Sequence, residues 1–184
     1  MPSVRARLRQ ALCGSGRSIA VFNRMMFDPA DDFDISFQRP KSWWMPTNIW
    51  IDQQVVSFKS SGVENDPMVE LVSCARNLLD GREQMSVANF WRGPEWHSLV
   101  FEPSANPKKV YVSLLMNQDC DFSDPEFEYH VTTTTENLCR KIIAAFQRLE
   151  ENFGRVIYEA RSGWSHRFPK TELVELSGLL DTAT

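Results

Sequence analysis

Between Met85 and Val131 the chain carries four short segments in which apolar and polar residues alternate, joined by short polar connections. The clearest runs through Val110, Val112, Leu114 and Met116, with Tyr111 and Ser113 on the opposite face. A period of two is the signature of a strand with one face on a core. Met85 to Trp91, Trp96 to Glu102 and Phe127 to Val131 read the same way, with turns predicted at Gly93-Pro94, Asn106-Pro107 and between Asp119 and Pro125. Connections this short cannot hold a crossover, so the four strands are predicted to be antiparallel neighbours in a meander.

Helical spacing brackets this run. Asp66-Pro67 supplies a capping side chain and a proline suited to the first turn. Met68, Leu71, Val72, Ala75, Leu78 and Leu79 follow at helical intervals, and Gly81 marks the stop. Thr133 with Glu136 has capping-box spacing ahead of Leu138, Ile142, Ile143, Phe146, Leu149 and Phe153, and Gly154 closes that helix. Upstream, Asp32 to Phe37 alternates as a half-buried strand. Thr47 to Phe58 reads as a second strand with a turn or bulge at Gln53-Gln54. Val156 to Tyr158 allows a further short strand, and Pro169-Thr171 introduces a short last helix with Leu173, Leu176, Leu179 and Leu180. The predicted fold class is α+β: an antiparallel, meander-rich sheet of about six strands, with two main helices and a short C-terminal helix packed on it.

Charge divides the 184 residues. Residues 1–27 hold five arginines and no acid, while the remainder sets 15 Lys+Arg against 24 Asp+Glu, a net charge of -9. The expected organisation is a basic extension over 1–27 and a single α+β domain over 28–184. For the extension, a short amphipathic helix (Val4, Leu8, Leu12), a targeting segment and a functional start near Met25-Met26 compete, and a loosely ordered arm is expected. A body this acidic repels duplex phosphates and suits a basic protein partner, so no nucleic acid is expected. No apolar run approaches the roughly 18 residues a membrane span needs. Cys13, Cys74, Cys120 and Cys139 form no metal-type or redox pair, and Cys74 and Cys139 fall on apolar helix faces. That usage fits free thiols in a reducing, cytoplasmic compartment.

The sequence shows no phosphate-cradling glycine loop, nucleophile elbow or paired-histidine metal motif, and no cofactor is expected. Dispersed groups remain. His97 and His130 lie on predicted strands and, with Glu95 or Glu128, are candidates for an acid/base or metal cluster. Asp121, Asp124, Glu126 and Glu128 form an acidic stretch able to steer a basic partner, with a solvated turn as the plainer account. Trp43 and Trp44 are adjacent, and neighbouring strand residues point to opposite faces, so one of them is expected to leave the core. Tryptophan is enriched at interaction hot spots. Arg161, His166 and Arg167 surround Trp164 as an anion or cation–π site. Alternatively, Trp164 and Phe168 pin the last helix to the sheet.

The pattern Tyr158, Trp164, Phe168-Pro169, Leu173 and Leu176 resembles one in small bacterial proteins of unknown function, some of them similar to immunity proteins made beside polymorphic or contact-dependent toxins. The strand–helix–strands–helix order and the Asp66-Pro67 helix entry share that resemblance, which spans roughly residues 30–180. It implies a cytosolic, non-catalytic protein that binds and blocks a basic toxin domain through acidic or aromatic surface. Trp43, Trp44, Asp121, Asp124, Glu126, Glu128 and Trp164 are the partner-binding candidates. Two other classes compete: a small enzyme or ligand-binding domain around the strand histidines, and a structural subunit held as a homodimer by an unpaired sheet edge.

Overall fold

The computed structural model describes residues 32–81, 85–117, 127–154, 164 and 166–183. They form seven strands and three helices in the order β1 (Phe33–Phe37), β2 (Trp44–Ile51), β3 (Gln54–Ser61), α1 (Pro67–Asp80), β4 (Ser86–Trp91), β5 (Trp96–Pro103), β6 (Lys109–Asn117), β7 (Phe127–Thr134), α2 (Thr135–Phe153) and α3 (Lys170–Ala183). The α+β class holds, but the strands make two antiparallel sheets, β1-β2-β3 and β4-β5-β6-β7, in place of one sheet of about six.

Two local causes account for the difference. Asp52 and Gln53 both take left-handed conformations (φ 48° and 61°), giving a two-residue hairpin turn that cuts the expected long second strand into β2 and β3. Helix α1 then follows β3 directly, so the chain leaves the first sheet before it begins the second. The four-strand meander after α1 has the expected neighbours. Its register runs Ala88 to Leu99, Leu99 to Leu114 and Leu114 to Tyr129.

The helix ends follow from capping chemistry. The Asp66 carboxylate accepts from the amides of Met68 and Val69, Pro67 occupies the first turn, and Gly81 (φ 63°) closes α1 in the left-handed region. In α2 the cap lies one residue later than the spacing predicts. Strand β7 runs through Thr134, which pairs with Lys109, so the Thr134 hydroxyl accepts from the Asn137 amide. Thr133 instead receives the Asn137 side chain, at 3.0 Å. Helix α3 has 14 residues, as many as α1, so it is not a short appendage.

One contiguous apolar cluster joins both sheets and all three helices. Phe58 of β3 meets Phe90 of β4 edge-on and stacks on His97 of β5, with ring centroids 4.1 Å apart. Phe146 of α2 contacts Phe37 and Phe168. Every residue of β1 is buried, where alternation alone predicts one wet face. Its polar side chains are covered and bonded: Asn48 donates to Ser36 and accepts from Ser57, and the three stand side by side across β1, β2 and β3. On the other sheet, the Asn89 amide and carbonyl in edge strand β4 are satisfied by the side chains of Glu70 and Asn65, which tie α1 to that edge. No helix among the described residues is long and apolar enough to cross a membrane. Cys74 and Cys139 are both buried, and the Cys139 thiol lies 3.7 Å from the Ala75 carbonyl oxygen. Cys13, Cys120 and Val156–Tyr158 lie outside the described residues.

Candidate functional site

Strand register sorts the side chains of the four-stranded sheet. One face carries Ala88, Phe90, His97, Leu99, Phe101, Val110, Val112 and Leu114 into the core. The other face is a grid of cross-strand rows. Val87, Val100, Ser113 and His130 form one row, flanked by Glu102, Tyr111 and Thr132 on one side and by Ser98, Leu115 and Glu128 on the other. These rows enclose a groove of about 600 Å³, with Met85 at its rim.

The groove floor is apolar, made by Val87, Val100 and Leu115. Such residues on the outward positions of a sheet are unusual, since that face normally meets water and carries polar groups. Met85 and Tyr111 on the rim are large apolar side chains about half exposed, at 54% and 48%. Among the described residues, the charged groups of the lining are Glu102 and Glu128, with His130 beside them. His130 links its neighbours: Nδ1 lies 2.8 Å from the Ser113 hydroxyl and Nε2 2.9 Å from Glu128 Oε1. The link follows from the fold, because Glu128 and His130 alternate on one strand and Ser113 is the cross-strand partner of His130.

The two strand histidines do not meet. His130 faces outward, whereas His97 faces the core, stacked on Phe58 and buried. Burial, reinforced by the Arg92 charge, pushes the His97 imidazole down to about 4, so it is neutral at physiological pH. The expected joint cluster is corrected on this point: His97 pairs with Met116 and His130 with Ser113 on β6, an odd number of residues apart, so the two rings lie on opposite faces. Glu95 pairs with Arg92 across the Gly93 turn, at 3.0 Å, and joins neither histidine. Among the described residues, no group of three or more His, Cys, Asp or Glu is placed to hold a metal ion.

The other predicted residues fall in separate places. Trp43 occupies the tip of the β1–β2 hairpin, closed by paired Lys41 and Trp44, with Ser42 and Trp43 both left-handed (φ 50° and 73°). Trp43 is exposed, at 54%, and Trp44 is half-buried at the start of β2. Trp164 is only 3% exposed and belongs to the core with Phe168, so it is not available surface. The basic side chains around it face acids: His166 Nδ1 lies 3.5 Å from Asp66 Oδ2, and Arg167 grips Glu172 through two nitrogens. Among the described residues, the acidic candidate Glu128 reaches the groove. Asp121, Asp124, Glu126 and Arg161 lie outside the described residues.

Sequence reasoning passed over Met85, Glu102, Tyr111 and Leu115. A signal for them is present. Leu115 breaks the polar side of the β6 alternation, and Val87 and Val100 do the same in β4 and β5, so three adjacent strands each place an apolar residue on the face opposite the core.

No protein-family model matches the sequence, and no curated protein does. Among solved structures the chain is similar to one from a CdiA-CT/CdiI toxin and immunity complex of Enterobacter cloacae. The identity is 16% and the TM-score 0.41, over 62% of this chain and 99% of the other.

Proposed function

We propose that this protein is a non-catalytic binding protein of the immunity type, which holds a basic toxin domain against the outer face of its four-stranded sheet and neutralises it. The observation that carries the reading is the groove: an apolar floor, half-exposed Met85 and Tyr111 on the rim, and two carboxylates in the lining. Aromatic and methionine side chains are enriched where proteins meet. Carboxylates around an apolar centre steer a cationic surface and fix its register. The -9 charge of residues 28–184 acts in the same direction.

The test is capture and rescue. The chain, co-expressed with a growth-arresting product of a neighbouring gene, restores growth and co-purifies with that product in equal amounts. The double variant Glu102→Lys/Tyr111→Ala loses both properties while keeping its circular dichroism spectrum. If no neighbouring gene product is bound and none is neutralised, the reading is wrong.

A second reading rests on the Ser113–His130–Glu128 array, whose distances suit a serine activated by a histidine. A fluorophosphonate probe decides between them. Labelling at Ser113 that disappears in His130→Ala makes the groove catalytic, and an unlabelled Ser113 leaves it a binding surface.

A further inference from the structure

The groove also constrains the shape of what enters it; this inference rests on the groove being the binding face. Glu102 and Glu128 stand at opposite corners of the grid, two strands and two rows apart, with Ser113 at the midpoint of their diagonal. Strands are spaced ~4.8 Å apart and each two-residue step is ~6.8 Å, so the two corners are about 17 Å apart. Along that diagonal the side chains pass from carboxylate through apolar and small residues to carboxylate: Glu102, then Val100 and Tyr111, Ser113, Leu115 and His130, then Glu128.

The backbone groups of β5 and β6 lie in the sheet plane and are spent on neighbouring strands, so the groove offers side chains and no free ladder. An extended segment laid on this face would bury its own unpaired amides and carbonyls. A helix carries its backbone hydrogen bonds internally. Eleven residues of helix advance ~16.5 Å and make about three whole turns, returning to the same face. We propose that the groove takes one amphipathic α-helix of a basic partner, laid along the Glu102–Glu128 diagonal. Its two cationic side chains stand eleven residues apart, and apolar side chains four and seven residues after the first fill the centre. At the Glu102 end the cation also meets the Tyr111 ring, the cross-strand neighbour of Glu102. At the other end it meets a Glu128 already oriented by His130.

The probe is a fluorescein-labelled, alanine-rich peptide of ~18 residues with arginines eleven apart and leucines at the two intervening face positions. Two controls accompany it: one with the second arginine moved by two residues, onto the far side of the helix, and one with a central proline. Fluorescence anisotropy on the full chain is expected to show the in-phase peptide bound at least tenfold more tightly than either control. Glu128→Lys is expected to erase the advantage over the shifted peptide. Both Glu102 and Glu128 are exposed, so the reversals leave the fold intact, which a thermal melt verifies. Equal binding of the proline peptide overturns the helix and leaves the groove reading standing. Binding unaffected by Glu102→Lys and Glu128→Lys overturns both. No binding by any peptide overturns the helix, and capture of the neighbouring gene product then decides the groove.

Discussion

Arg148 reaches from α2 to Asp34 in β1, its Nη2 3.1 Å from Asp34 Oδ1 and 2.8 Å from the Ile35 carbonyl oxygen. Asp34 is 2% exposed, and burial raises its carboxyl above the ordinary value of 3.8 despite the opposing pull of Arg148, the Ile35 amide and Lys141. Arg148→Leu leaves a buried carboxylate without its guanidinium. The arginine side chain is itself about a third exposed (35%), so solvent softens the loss. We expect about 2 kcal/mol of destabilisation at neutral pH by urea unfolding. The sign of the pH dependence follows from the raised folded value. The folded chain binds this proton more tightly than the unfolded chain, so the cost of Asp34 falls as pH drops from above its folded value towards 3.8. Without Arg148 that value rises further, so the deficit of the variant shrinks in acid. A deficit constant from pH 7 to 4 refutes the account.

His97 behaves in the opposite sense. Its folded value of about 4 lies below the ordinary 6.5, so the unfolded chain takes up the proton first. Its contribution is intact above 6.5 and is lost as pH falls through 4. His97→Phe keeps a ring against Phe58 and removes the titration. Across this window wild type is expected to lose about 3 kcal/mol relative to the variant. Urea midpoints of the two proteins at stepped pH measure the difference, and parallel curves would contradict the assignment.

Gly62 is fixed by proximity. A Cβ there would sit 2.9 Å from His166 Cδ2 and 3.2 Å from the Trp164 indole. Gly62→Ala therefore pushes a buried tryptophan and is expected to cost about 1–3 kcal/mol. Tryptophan emission should shift to the red if Trp164 is unseated. An alanine variant of wild-type stability would show that the loop gives way freely.

Trp43 takes a turn conformation that favours Asn or Gly over a bulky ring (φ 73°). Trp43→Asn is expected to raise stability by roughly 0.5–1 kcal/mol, since left-handed strain in a large residue is relieved. If Trp43 also touches the partner, the same variant binds less well while melting higher. That opposed pair of changes separates a binding residue from a structural one.

Much of this fold was legible because its signals are local. Asp66, Pro67 and Gly81 mark both ends of α1 through capping alone, and the Val110–Met116 alternation orients β6 within its meander. The division into two sheets was not, since Gln53-Gln54 reads as a pause in one strand until Asp52 and Gln53 are seen to reverse it. The groove was harder still. Its lining comes from four strands, and whether His97 and His130 share a face depends on register between β5, β6 and β7. Trp164 carries the same residue type as Trp43, but only tertiary packing separates a core ring from an exposed one.

The row formed by Ser36, Asn48 and Ser57 has a consequence for how this chain can drift over time. Asn48 spends both ends of its amide on the two hydroxyls beside it. Losing Asn48 alone removes the donor facing the buried Ser36 hydroxyl, whereas exchanging Ser36 and Asn48 together for apolar residues of similar shape leaves no such group behind. The fitness landscape at these positions therefore has a valley between two acceptable states. Substitutions at 36 and 48 should appear in relatives as a correlated pair, and lineages should stay on one side of the valley for long periods.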